Sequence, residues 1–180
     1  MDVIGMVVLP AGGVAMGFVV VGVAPALLPG AWRAWVTAPL ACAAVALVVL
    51  VTVVVRTKAY PPAGWWLWEV WQVAQFGTLS LVGLREQLNV LMLVPFAWFA
   101  TLTLARPALA AAAGVLLSCV VEYVQGATGV GATQLSDLVH NSAGSVLGAG
   151  SAYLLLRASD HVLRGRRSAT AQGRGRRAGD

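Results

Sequence analysis

Apolar runs fill most of the chain, and polar residues gather at their ends. Residues 3–28, 36–55, 88–105, 108–125 and 138–156 are each near the roughly 20 residues a helix needs to cross a ~30 Å hydrocarbon layer. Pro10 and Pro25 kink or trim the first run, because proline lacks a donor and clashes with the preceding turn. Residues 29–35 then read as a short loop. Arg56, Thr57 and Lys58 stop the second run, and Tyr60, Pro61 and Pro62 form an extended turn after it. Pro95 bends the third run, and Arg106–Pro107 ends it.

Residues 65–84 break the pattern. Trp65, Trp66, Trp68 and Trp71 alternate with Glu69, Gln72 and Gln75, and the three polar residues recur every third position. That drifting stripe favours a helix lying in the interface, with its tryptophans at headgroup depth. Its length also suits a sixth span. The expected fold is therefore an all-α integral membrane bundle of five transmembrane helices, or six, plus an interfacial tryptophan-rich helix. Its parts are a two-helix region at 1–58, an interfacial or re-entrant segment at 59–87, a three-helix core at 88–156 and a basic tail at 157–180. The tail is expected to be disordered beyond about Leu163.

Composition narrows the class. The chain is 59% hydrophobic and 11% charged, where soluble domains carry about a quarter charged residues. Alternating strands are lacking, which argues against a barrel. The formal charge of +5 does not point to nucleic acid, since seven of the twelve basic residues lie in the last 24 positions. They mark a tail rather than a groove. Lys/Arg bias puts that tail in the cytoplasm, so the protein is expected in the cell membrane, multi-pass, with the loop after Gln125 outside. Cys42 and Cys119 sit inside apolar runs and read as small hydrophobes. Neither a metal nor a cofactor is expected.

Candidate chemistry comes from connectivity. Asn89 opens one run, Glu122 and Gln125 close the next, and Asp137, His140 and Asn141 open the last. Successive spans reverse direction, so all of these reach the same face of the bilayer. A charge near the centre of a span costs about 2.5–3.5 kcal/mol on insertion scales, so such residues face each other or a wet cavity. Two carboxylates and three amides round one shallow pocket suit a head group bearing amides or hydroxyls. Plainer roles exist for most of them. Asp137 or Ser136 is a natural N-cap, Asn89 could cap its helix or bond a neighbour, and His140 reads as a packed side chain. Gly144, Gly148 and Ala152 make a close-packing face. Glu122 alone has no local reason to be a carboxylate.

The order of these residues resembles the VanZ-like family of bacterial membrane proteins. Asn-x5-Pro-Phe at 89–96 precedes Ser-x3-Glu-x2-Gln at 118–125 and Asp-x3-Asn-x2-Gly-x3-Gly at 137–148. The likeness covers residues 88–156. It implies a small helical membrane domain of the cell envelope, a named member of which is associated with low-level teicoplanin resistance. The family's polar residues fall on Asn89, Glu122, Gln125, Asp137 and Asn141. An arginine usual in the family's outer loop is missing, with Gly131 or Ala132 in its place, as is a second acidic residue. The resulting expectation is a ligand-binding protein, not an enzyme. It would bind or shield a lipid or cell-wall precursor headgroup at the outer leaflet, with membrane lipids or a glycopeptide-related ligand as partners and its oligomeric state open. The alternative is an intramembrane hydrolase using Glu122 with Asp137 or His140, for which HExxH and triad orders are lacking. A transporter fits less well, because no inverted repeat is visible.

Overall fold

The computed structural model describes residues 21–54 and 59–177. A 3-10 turn at Ala24–Leu27 leads into α1 (Gly30–Val54). Then come α2 (Leu67–Val73), α3 (Leu84–Leu104), α4 (Pro107–Thr128) and α5 (Leu135–Arg177). Among the described residues no strand forms, only two isolated bridges, Ala59 with Val130 and Gln75 with Gln134.

Local chemistry sets the tight turn between α3 and α4. Ala105 takes a left-handed conformation, φ 52°, and its N–H donates to the Thr101 carbonyl. Pro107 follows at the first position of α4, where its missing N–H costs nothing and its fixed φ suits a helix start. Two linking residues leave α4 no course but back along α3.

Helix α3 is the centre, packed on α1, α4 and α5. Gly144 and Gly148 lay α5 directly on the α3 backbone at Val90 and Val94; a Cβ on Gly148 would come within 2.5 Å of the Val94 carbonyl. The small-residue face thus serves helix packing, and Ala152 extends it into a core with Ala26, Ala41, Phe99, Leu102 and Leu156.

The α5 pattern is inverted relative to a helix in water. Its buried face holds Ser136, Asp137, His140, Asn141 and Ser145, while Val139, Val146, Leu147 and Leu154 are exposed. Lipid explains this, since apolar side chains outside then cost nothing and polar ones must turn inward. Three described helices are long and apolar enough to cross a membrane: Gly30–Thr52, Leu84–Leu104 and Pro107–Thr128. The polar inner face lowers the hydropathy of α5, which covers the expected run 138–156 but is not among the three. The first expected run, residues 3–28, lies mostly outside the described residues.

Three expectations are corrected. Residues 30–35 are not loop but the first turns of α1, which also continues through Pro39. Before α3 begins at Leu84, residues 65–83 are helical only over Leu67–Val73, about 10 Å of helix at 1.5 Å per residue against a ~30 Å layer. The tail is not disordered past Leu163: α5 runs on to Arg177, as its Arg, Ala and Gln content allows.

Candidate functional site

The end of α4 and the starts of α3 and α5 meet at one end of the bundle, with residues 59–83 laid across them. The Tyr60 N–H donates to the Gly129 carbonyl at 2.8 Å, and that of Ala63 to Gly126 at 3.0 Å. Gly129 has φ 70°, and a Cβ there would strike the Tyr60 carbonyl. Further on, the Gln75 N–H donates to Thr133, and the N–H groups of Leu135 and Ser136 donate to Gln75 at 2.7 Å and Phe76 at 2.9 Å. The first donors of α5 have no partners inside their own helix; the covering segment supplies them. Val70 anchors α2 against Gly126, and its remaining residues are exposed, Trp68 and Trp71 among them.

Asp137 is the knot of the site. It is 4% exposed and lies in the first turn of α5, where the helix dipole favours a negative charge. Arg85 Nη2 donates to its Oδ2 and Asn89 Nδ2 to its Oδ1, both at 2.7 Å. Arg85 and Asn89 are one turn apart on α3 and so share a face. The Asp137 carboxylate therefore ties α5 to α3 rather than capping its own helix, and Asn89 bonds a neighbouring helix. The sequence reading missed Arg85. Its signal was the four-residue spacing to Asn89. The cation at Asp137 comes from α3, not from the loop after α4.

Glu122 acquires a structural reason. Its Oε2 accepts the N–H of Gln134 at 2.9 Å, just before α5 begins, and its carbonyl accepts Thr133 Oγ1 at 3.3 Å. A carboxylate buried at a helix N-terminus meets oriented N–H groups and a favourable dipole. The cause lies 12 residues downstream, out of reach of any local pattern.

The remaining residues behave differently. Gln125 is 1% exposed, and neither end of its amide has a hydrogen-bond partner; the same holds for both ring nitrogens of His140, Asn141 Oδ1 and Ser118 Oγ. Buried polar groups are nearly always paired, so each calls for a water, an ion or a ligand. Neither carboxylate is hydrogen-bonded to His140. Among the described residues no group of three His, Cys, Asp or Glu could hold a metal.

The expected single pocket is two spaces. A groove of about 690 Å³ runs between α1 and α3, lined by Leu47, Val51, Leu88, Leu91 and Met92, with Arg85 and Asn89 at its polar end. A chamber of about 320 Å³ lies beside it, lined by Gln75, Gln125, Thr133, Gly126 and Gly129 among others. Tyr60, Gly131 and Ala132 line both. Asn89 and Asp137 come together. Glu122 stands behind the start of α5, Gln125 opens on the chamber, and Asn141 lies one turn below Asp137.

The family model for VanZ/LLP1 matches residues 41–156. No curated protein and no solved structure matches the chain. The family match spans more than half of the sequence and includes α3, α4, the covering segment and every polar residue discussed above, so the chain belongs to the VanZ/LLP1 family.

Proposed function

We propose that this VanZ/LLP1 membrane protein binds the head group of a lipid or lipid-linked cell-wall precursor, without chemical turnover, at the outer leaflet. The observation that carries the reading is the groove between α1 and α3, apolar along its length and ending at Arg85 and Asn89. Its size falls in the ~300–1,000 Å³ range of ligand pockets, and it joins apolar walls to a few fixed polar groups, as an amphiphile requires. Two further points favour binding over hydrolysis. Asp137 is engaged by Arg85 and Asn89, and Glu122 by the start of α5. His140 has no hydrogen-bonded carboxylate to orient it, as a general base needs. The outer assignment rests on the arginine-rich end of α5 lying opposite the site, on the positive-inside rule.

A deletion strain, complemented with wild type or with Arg85→Ala, provides the test. Teicoplanin susceptibility and retention of lipid-linked precursor by the purified protein are measured. Raised susceptibility on deletion, restored by wild type only, and precursor retention by purified wild type but not by Arg85→Ala are expected. Unchanged values in both assays would sink the reading.

A further inference from the structure

The chamber beside the groove has a chemistry of its own. Among the described residues no charged side chain lines it. Gln125 supplies a carboxamide that is buried, unpartnered at both Oε1 and Nε2, and part of the chamber wall. A carboxamide presents an acceptor and a donor side by side, so it pairs best with a group that returns both. Gln75, Thr133 and Tyr60 add polar side chains to the lining. The described residues bring no free cation here to hold an anion. The Glu122 carboxylate sits one turn back on the same helix, behind Gln134. Arg85 belongs to the groove and is held by Asp137.

Resting on the proposed head-group binding, we infer that the chamber takes the uncharged, hydroxyl-rich head of a glycolipid, with its apolar chain lying in the α1–α3 groove. The shared wall of Tyr60, Gly131 and Ala132 makes the two spaces neighbours, so one amphiphile can occupy both. Neighbouring hydroxyls on a sugar ring both give and accept hydrogen bonds, which is what Gln125 lacks. The chamber's volume is near the lower limit for a ligand pocket, which suits one head group rather than an extended glycan.

The test uses the full chain in phosphatidylcholine nanodiscs, titrated with dodecyl glucoside, dodecyl phosphate and methyl glucoside. Dodecyl glucoside is expected to bind about tenfold or more tighter than dodecyl phosphate. Gln125→Leu should cost about tenfold for the glucoside, the scale of one well-made hydrogen-bonding contact, and leave the phosphate unchanged. Leu88→Trp, which fills the groove, should weaken both alkyl probes. If Gln125→Leu fails to fold, Gln125→Met, closer in length, should show the same loss. Tighter binding of dodecyl phosphate, indifferent to Gln125, would overturn the chamber assignment and leave head-group binding at Arg85 standing. Methyl glucoside binding as tightly as dodecyl glucoside would overturn the lipid and indicate a free sugar. A folded protein that binds no probe would overturn this inference and the broader proposal together.

Discussion

The two halves of the buried polar cluster differ in how they meet the cost of burial. Around Asp137 every carboxylate oxygen has a donor, at 2.7 Å from Arg85 and from Asn89. Around Gln125, one helix away, an equally buried side chain has no partner at all. Partnered groups in a low-dielectric interior hold their helices in register; an orphaned group there costs about 1–3 kcal/mol. The first half is architecture, while the second is the half that the proposed head group would complete. Polarity and burial alone do not separate them. The hydrogen-bond inventory does.

The contrast can be broken by substitution. The largest effect is expected away from both halves, as the reference for lost architecture. Gly144→Val puts side-chain atoms into the Val90 carbonyl and should abolish the folded bundle, read as loss of a monodisperse peak in detergent. Next, Arg85→Ala leaves the Asp137 carboxylate buried with one donor removed. It should cost about 2–3 kcal/mol of stability, less than a fully buried pair would, because Arg85 is itself half exposed. The double variant Arg85→Ala with Asp137→Ala should regain part of that loss, since no uncompensated charge remains. A double variant that simply sums two losses would mean the pair is not coupled as described.

Glu122→Leu should cost about 1.5–3 kcal/mol, the scale of a hydrogen bond to a charged group, by stranding the Gln134 N–H. The smallest change is expected from Gln125→Leu. It removes polar atoms that have no partner, so thermal stability should move by less than about 1 kcal/mol in either direction, even as probe binding falls. If Gln125→Leu destabilises as much as Arg85→Ala, Gln125 is part of the architecture and the distinction between the halves fails.

Asn89 and Glu122 show how far the sequence reaches. The reversal of successive runs placed both at one end of the bundle, and the structure finds them there. What they do was not legible. Glu122 is explained by a backbone N–H 12 residues downstream, and the partner of Asn89 is 48 residues away. The tryptophan-rich stretch erred in the opposite sense. Polar residues three apart resemble a helical stripe, yet Gln75 is held in a bridge to Gln134, so tertiary hydrogen bonding ended the helix at Val73.

By itself, the sequence determined the membrane class, the apolar runs at the heart of three long helices and the end of the bundle at which polar groups gather. Run length and chain reversal are properties of the chain alone, and lipid gives them no alternative. Only the tertiary structure decided which polar groups close on each other and which stay open. It also divided one expected pocket into a groove and a chamber and brought Arg85 to Asp137. Those outcomes depend on how closely the helices approach, set where Gly144 and Gly148 let α5 rest on the α3 backbone. A linear pattern carries no information about such distances.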